Sequence, residues 1–280
     1  MSTRPPAQPR LHCTAEADGR ITFDLAPGHP ERARLALVLR PGKGRPETTR
    51  HLLDLERHGA DGHSRAVLEA RTVLEEGRWD AYLLSAADTG AEQPGQPGAE
   101  RQRLRPGLRD LRRLVDGGLR DRPSPVAVRV PYATMDGFFA IRAWLRPAHA
   151  EAGRIDIAHG AMTVHARLHG AELTDEATVR LRLRGSRDTL LGFRPVADGR
   201  DFSFTAAFDE LVGASGGVPR VWDAFLQPAA GAPLIRIGRL LDDVADRKRV
   251  WVYPRTTVEG AAVCPYYTVD NDLAVEVASG

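Results

Sequence analysis

A tandem repeat constrains this 280-residue chain more than any other feature of its sequence. Three short segments return in the same order, shifted by 143, 134 and 141 residues. The pairs are Gly77–Leu84 with Arg220–Gln227, Pro131–Asp136 with Pro265–Asp270, and Asp18–Phe23 with His159–Val164. Segments that recur in order at nearly one spacing indicate the duplication of a domain-sized unit. The sequence therefore predicts two related units of about 140 residues each.

The readable segments of both units are short and β-like. Ile21–Leu25 and Thr178–Arg184 alternate apolar and polar residues, which is typical of strands with one buried face, and Arg249–Tyr253 is predicted to be a further strand. Helical periodicity is weak, and short turns or helices are expected only within Leu104–Val115 and Arg239–Asp246. About seven strands per unit predict an all-β fold, made of two tandem immunoglobulin-like β-sandwich units from an internal duplication.

The predicted domain boundaries follow from these segments. Residues 1–9 are rich in proline and polar residues, and they are predicted to be a disordered tail. Residues 10–146 form the first predicted β-sandwich unit, and residues 147–280 form the second. Each unit contains one tryptophan, Trp79 or Trp222, that is predicted to anchor its core.

Composition excludes several classes of partner and site. A net charge of +2 gives no electrostatic footprint for nucleic acid, and individual arginines are interpreted as background composition. No apolar run approaches the ~18 residues of a membrane span, and the first residues lack the apolar core of a signal peptide, so a cytoplasmic location is expected. Cys13 and Cys264 lie one in each unit, which predicts no disulfide framework.

One glycine-rich segment matches a catalytic motif. Gly213–Gly217 has the G-x-S-x-G pattern of a hydrolase nucleophile elbow, which needs a strand before the serine and a helix after it. Here Val218 and Pro219 follow, and then a strand is predicted. The segment is therefore predicted to be a flexible hairpin loop rather than a catalytic turn.

The remaining polar candidates do not form a recognised site. His165 and His169 lie at i and i+4 on the predicted outward face of one strand, about 13 Å apart, which is too far to share a zinc ion. Asp242 and Asp243 form a charge-dense corner that is interpreted as a solvated turn. Asp270–Asp272 resembles part of a calcium loop but lacks the glycine and distal glutamate of an EF-hand, so a hairpin turn is predicted. Neither a metal site, nor a cofactor, nor a polar cluster shared by both units is predicted.

The second half of the chain resembles a known sequence family. The segments that carry the resemblance are Ile141–Arg146, His149–Glu151, Leu240–Val250 and Pro265–Val275. They are similar to a β-sandwich region of actinobacterial proteins that are labelled "transferase", or that carry it beside family 2 glycosyltransferase or teichoic-acid-type polymerase domains. The resemblance covers roughly residues 125–280 well and the first 120 more weakly. It implies an accessory module with a glycosyltransferase or an envelope-polymer synthase as its partner, and it carries over no catalytic residues.

These observations favour a non-catalytic accessory protein, which binds a carbohydrate or cell-envelope polymer or positions a partner glycosyltransferase. Tyr132, Tyr266 and Tyr267 are the predicted ligand contacts, because aromatic rings stack on the faces of sugars. The alternative role for these tyrosines is packing at a strand corner, with the phenol bonded to the backbone.

Two rival hypotheses belong to other classes. The chain could be an enzyme of secondary metabolism or envelope assembly that uses an inter-domain cleft, with His165, His169, Asp242 and Asp243 as its polar groups. It could also be a structural protein that forms homo-oligomers through the edges or faces of its sheets.

Overall fold

The computed structural model describes residues 8–30, 33–42, 46–47, 50–59, 61–85, 101–115 and 124–279. Within them the chain is nearly all β, as predicted. The chain divides into two compact units. The first unit comprises Met1–Arg122, Ala127–Leu145 and Leu241–Ala245, and the second comprises Pro123–Val126, Arg146–Leu240 and Asp246–Gly280. Among the described residues, no helix is both long enough and apolar enough to cross a bilayer.

The strands between residues 10 and 146 form two sheets. They are β1 (Arg10–Ala15), β2 (Ile21–Leu25), β3 (Arg34–Leu39), β4 (Arg50–Asp54), β5 (Glu56–His58), β6 (His63–Leu68), β7 (Gly77–Leu84), β8 (Arg101–Arg103), β9 (Arg105–Asp110), β10 (Val126–Ala133) and β11 (Phe139–Arg146), with the short helix α1 (Arg112–Val115). One sheet has the order β5-β6-β2-β1-β9, in which β1 and β9 run parallel. The other has the order β10-β11-β7-β3-β4, with β8 also paired to β7.

The strands after residue 148 are more extensively connected. They are β12 (His149–Ala158), β13 (Ala161–His169), β14 (Thr178–Leu183), β15 (Leu190–Phe193), β16 (Val196–Asp198), β17 (Asp201–Ala207), β18 (Arg220–Gln227), β19 (Ile235–Gly238), β20 (Thr256–Val258), β21 (Ala261–Tyr267) and β22 (Leu273–Ser279), with helix α2 (Phe208–Ser215) between β17 and β18. Strand β19 pairs with both β12 and β18, so all of these strands belong to one 11-stranded sheet.

The pairing order of the first unit recurs in the second. The order β5-β6-β2-β1-β9 corresponds to β16-β17-β13-β12-β19, and β10-β11-β7-β3-β4 corresponds to β21-β22-β18-β14-β15. Trp79 and Trp222, both buried, occupy equivalent places, because Trp79 lies opposite Leu39 and Trp222 lies opposite Leu183. Such recurrence is what the duplication of one unit would produce. The first unit also buries Trp144, so the prediction of one buried tryptophan per unit is wrong there. The closer assignment to an immunoglobulin-like sandwich remains a prediction.

The hairpin turns of the two units also match in their hydrogen bonds. One turn spans Thr134–Phe138 and the other spans Thr268–Asp272. In each, the threonine N–H donates to the carbonyl oxygen of the fifth residue at 2.8 Å, and the threonine hydroxyl accepts the N–H of that residue. The fourth residue has left-handed φ, 78° at Gly137 and 60° at Asn271. Glycine and asparagine tolerate this conformation best. The hairpin turn predicted for Asp270–Asp272 is therefore confirmed.

The predicted hairpin loop at Gly213–Gly217 is wrong at its first three residues. Gly213–Ser215 form the last turn of α2, and Gly216 ends the helix with a left-handed φ of 63°. Such a glycine is a common helix C-terminus. Ser215 is buried, its hydroxyl donates to the carbonyl oxygen of Leu211 at 2.6 Å, and it accepts the indole N–H of Trp222 at 3.1 Å. A serine that ends a helix and lies in the core is not a nucleophile elbow, in which the serine stands between a strand and a following helix.

The short helix or turn predicted within Leu104–Val115 is present as α1, although strand β9 occupies half of that segment. Residues 239–246, all described, contain no helix, and the turn predicted there is the one closed by Asp242 and Val244.

One predicted strand differs from the structure. Arg249–Tyr253, also fully described, is not a strand, because the N–H groups of Val250 and Trp251 both donate to the carbonyl oxygen of Arg247 at 2.9 Å and close a turn. Strand β20 begins only at Thr256.

Candidate functional site

The predicted tyrosines differ sharply in exposure. Tyr132 on β10 and Tyr266 on β21 are half-buried and stand at equivalent positions of the repeat. Tyr267 is fully buried, and its ring lies 6.3 Å from that of Tyr253. Burial also raises the pKa of the Tyr267 hydroxyl. A ring inside the core cannot stack on a sugar, so the surface contact predicted for Tyr267 is not available to it.

Each unit contains an equivalent arginine–aspartate pair, contrary to the prediction that the two units have no polar cluster in common. In the first unit, Arg40 donates from Nη2 to Asp80 Oδ1 at 2.7 Å and from Nε to Oδ2 at 3.2 Å. In the second, Arg184 donates from Nη2 to Asp223 Oδ1 at 2.5 Å and from Nε to Oδ2 at 3.2 Å. Asp80 directly follows the buried Trp79, and Asp223 directly follows the buried Trp222. The arginines lie some 40 residues earlier in the chain, so a linear pattern does not display the pairing.

The hydroxyl groups of the two half-buried tyrosines differ in their hydrogen bonds to these pairs. Arg184 Nη1 donates to the Tyr266 hydroxyl oxygen at 3.2 Å, which fixes that ring beside the Arg184–Asp223 pair. The Tyr132 hydroxyl is itself buried and has no hydrogen-bond partner among the described residues. Burial raises the pKa of Tyr132, and the neighbouring Arg78 and Arg40 charges oppose that change. Only Tyr266 therefore presents a hydroxyl that is held by a charged partner.

A surface groove of about 260 Å³ lies beside the arginine–aspartate pair of the second unit. It is lined by Arg184, Pro219, Arg220, Val221, Glu276 and Val277. Glu276 accepts a hydrogen bond from Arg255 Nη2 at 3.1 Å. Among the residues that the structure describes, no carboxylate lies within ion-pair distance of Arg220. The groove thus combines cationic donors and an acidic acceptor beside an aromatic ring, and it is the candidate site.

The two predicted histidines are not brought together. His165 is exposed, with Nε2 3.6 Å from Asp156 Oδ2. His169 is only 2% exposed, because the in–out alternation of β13 breaks at its end, where Leu168 and His169 are both buried. It faces His149 across the β12–β13 ladder, and burial, reinforced by the charge of His149, lowers its pKa. The prediction that His169 is a solvated surface residue is wrong.

Asp242 and Asp243 are half-buried and belong to the segment Leu241–Ala245, which clusters with the first unit. Asp242 Oδ1 accepts the N–H of Val244 at 3.0 Å, which is the local bond of an Asx turn. Among the described residues, no group of three or more histidine, cysteine or acidic side chains is placed to hold a metal ion.

A buried ionic network escaped the sequence reasoning. Asp272 accepts hydrogen bonds from Arg146 Nη1 at 2.8 Å and from Arg236 Nη1 at 3.0 Å. The neighbouring Asn271 accepts the N–H of Arg247, whose Nε donates in turn to the carbonyl oxygen of Arg239 at 2.7 Å. These bonds fasten the segment after β19 to the β21–β22 turn. The buried part of this network, Asp272 with Arg146, is interpreted as structural, whereas the Arg236 side chain is 47% exposed.

An exposed aromatic residue was also missed. Trp251 is 38% exposed, and Cζ of Arg239 lies 4.6 Å from the centroid of its ring. Its neighbours Val250 and Val252 are exposed as well. The sequence reasoning assigned this segment to a strand, which would have placed part of it in the core. The lack of a regular apolar–polar alternation from Lys248 to Tyr253 is the signal that could have indicated a loop.

Comparison with known proteins identifies no family. No family model matches the chain, and no curated protein matches it. A structure of S. aureus TarS residues 217–571 matches with a TM-score of 0.30 and 13% identity over 71% of this chain and 55% of that one. A further S. aureus TarS structure matches with a TM-score of 0.28 and 13% identity over 70% of this chain and 35% of that one. A marsupial T cell receptor gives a TM-score of 0.21 and 10% identity over 84% of this chain and 96% of that one.

This chain therefore spans about half, or about a third, of the two TarS structures that it matches. TM-scores this low establish neither a shared architecture nor a shared activity. The function must be argued from the side chains of this protein.

Proposed function

We propose that this protein is a non-catalytic accessory protein that binds a carbohydrate or a cell-envelope polymer at the groove beside Tyr266. The observation that carries the proposal is the groove itself, which Arg184, Arg220 and Glu276 line and whose Arg184 is hydrogen-bonded to the half-buried Tyr266. Sugars present hydroxyl groups that charged donors and acceptors bind, and C–H faces that pack on aromatic rings. A concave site with a few convergent polar groups is the usual form of a small-ligand site.

The fixed position of Arg184 supports this proposal. Asp223 and Tyr266 hold its guanidinium on two sides, so little side-chain entropy is lost when a ligand binds. The hydrogen bond to Asp223 also raises the pKa of Arg184, which therefore remains a cation at every pH of interest. Arg220 has no such partner among the described residues and is the group best placed to reach a ligand hydroxyl.

The enzyme hypothesis receives less support from the side chains on which it depends. His169 is buried in the second unit, so its ring has no access to a substrate. The Asp242 carboxylate is engaged by the backbone of its own turn. A second candidate function, the positioning of a partner glycosyltransferase, is favoured by the exposed Val250–Val252 segment, since exposed apolar residues that lie together mark contact sites.

A glycan array followed by calorimetry tests the proposed function. We expect Arg220→Gln and Tyr266→Ala each to weaken binding of the selected glycan by about tenfold, because a charge-assisted hydrogen bond or a stacked ring is lost. Tyr266→Phe should retain most of the affinity if the ring provides the contact. Arg154→Gln is the matched control, since Arg154 is exposed on β12 and outside the groove.

Two results would overturn the proposal. One is that the wild-type chain binds nothing on an array that includes envelope polysaccharides. The other is that Arg220→Gln and Tyr266→Ala bind the selected glycan as well as Arg154→Gln does.

A further inference from the structure

The outward face of the second unit carries four arginines, two of which lie over one phenylalanine ring. Arg180, Arg182 and Arg184 follow one another at every second position from β14 into the turn after it, so they share one side of the sheet. Phe225 on β18 lies directly opposite Arg180 on one side and directly opposite Arg236 of β19 on the other. The four guanidinium groups therefore belong to one continuous face, which we call the arginine face.

Phe225 orders two of these guanidinium groups. Cζ of Arg182 lies 4.4 Å from the centroid of the Phe225 ring, and Cζ of Arg236 lies 5.4 Å from it. Phe225 is only 4% exposed although it points away from the core side of β18, because these side chains cover it. A guanidinium that stacks on a ring keeps its N–H donors in its own plane, where an oxyanion can accept two of them.

The acidic groups on this face are already engaged. Asp223 is bound by Arg184, and the buried Asp272 is shared by Arg236 and Arg146. Within the part of the chain that the structure describes, no carboxylate lies within ion-pair distance of Arg180 or Arg182. Cations at every second position of a strand stand about 6.6–6.8 Å apart and repel one another. An oxyanion between them would remove this repulsion.

Arginine-rich composition does not explain the two arginines of β14, because the equivalent positions of β3 in the first unit carry none, although Arg101 there also lies over a ring, with Cζ 4.6 Å from the centroid of Tyr82. Ala36 and Val38 lie opposite Tyr82 and Asp80, just as Arg180 and Arg182 lie opposite Phe225 and Asp223. Both of these residues of β3 are buried and apolar. Equivalent positions of the same topology thus carry apolar residues in one unit and two arginines in the other.

We propose that the arginine face binds the phosphate or carboxylate groups of an anionic polymer, with Arg180, Arg182 and Arg236 as the ligand contacts. This inference rests on the proposed function and narrows it, since it names the charge of the polymer. Arg184 is the last arginine of the arginine face and also lines the groove beside Tyr266. One extended ligand can therefore contact both the arginine face and the groove.

Titration of the full chain with inorganic polyphosphate, with polygalacturonate and with neutral dextran tests the inference. We expect the wild type to bind at least one polyanion, and the Arg182→Gln, Arg236→Gln double variant to bind it at least about tenfold more weakly. The control is the Arg154→Gln, Arg167→Gln double variant, which removes the same charge from β12 and β13. Arg180→Gln provides a second test if the double variant does not fold, since Arg180 is held by a single side-chain hydrogen bond among the described residues, from Nε to Gln227 Oε1 at 3.3 Å.

The outcomes separate this inference from the proposed function. Preference for polyphosphate or for polygalacturonate identifies the anionic group. Polyanion binding that depends on Arg182 supports the arginine face even if no neutral glycan binds and the groove proposal fails. Equal loss of affinity in the two double variants would mean that only net charge matters, and it would overturn the inference. Absence of polyanion binding by the folded wild type would overturn it as well.

Discussion

Ser215 connects the end of α2 to the central tryptophan of the second unit. Its hydroxyl accepts the Trp222 indole N–H and donates to the Leu211 carbonyl oxygen, and all of this lies in the core. Ser215→Ala would leave the indole N–H without its partner in a place that water does not reach. A buried polar group that loses its partner costs about 1–3 kcal/mol.

We therefore expect Ser215→Ala to lower the free energy of unfolding by about 1–3 kcal/mol in urea titrations followed by circular dichroism. In a Trp222→Phe background, which has no indole donor, the same serine substitution should cost less. Equal costs in the two backgrounds would show that the serine–indole bond contributes nothing.

His169 makes the stability of the protein depend on pH. Burial lowers its pKa from 6.5 in the folded state, so the unfolded chain binds a proton more readily. The contribution of neutral His169 to the free energy of unfolding is fully present above about pH 6.5, and it is lost as the pH falls towards the pKa of His169 in the folded state. We expect the melting temperature of the wild type to fall over this interval, and that of His169→Gln to fall less. Parallel curves for the two proteins would contradict the assignment.

At the scale of the element, the β21–β22 turn depends on Asn271 in two ways. Asn271 adopts left-handed φ, and its side-chain oxygen accepts the buried N–H of Arg247. Asn271→Gly keeps the backbone freedom and loses the hydrogen bond, whereas Asn271→Ala loses both.

We expect both variants to be less stable than the wild type, with Asn271→Ala about 1 kcal/mol below Asn271→Gly because alanine disfavours left-handed φ. Thermal unfolding measures the difference. Val269→Ala, at an exposed position of the same turn, is the control and should change little. The prediction would be contradicted if Asn271→Ala were more stable than Asn271→Gly.

The elements with a periodic sequence were the ones that could be predicted. Alternation marks Ile21–Leu25 and Thr178–Leu183, which are strands β2 and β14. Arg249–Tyr253, which lacks regular alternation, was wrongly predicted to be a strand, and a local turn closes there on Arg247. Glycine content misled the prediction at Gly213–Ser215, where the segment is helical and Ser215 bonds to Leu211 and Trp222.

The candidate site was predictable only in part. Tyr266 was identified from the repeat, and it lies beside the groove. Its partners Arg184 and Asp223 come from different strands, so the pairing depends on register, which periodicity does not fix. The same reason hid the contacts of Arg182 and Arg236 with Phe225.

At the scale of the whole molecule, the repeat predicted from three short segments reappears as one pairing order carried out twice. The two units share an equivalent tryptophan, an Arg–Asp pair and a turn that begins at threonine, whereas the outward positions of β3 and β14 differ. The net charge of +2 hides this difference, because it averages over the full chain. The proposed binding chemistry is assigned to the second unit, and the shared residues are assigned to the stability of both units.

The sheet edges formed by β5 and β16 have a consequence for crowded solutions. Each is only three residues long, Glu56–His58 or Val196–Asp198, and all of these residues are exposed. An edge this short offers few unpaired backbone groups to a second chain, and long flat edges are the usual templates for aggregation. At these two edges the chain therefore offers little backbone for mispairing with another chain during synthesis.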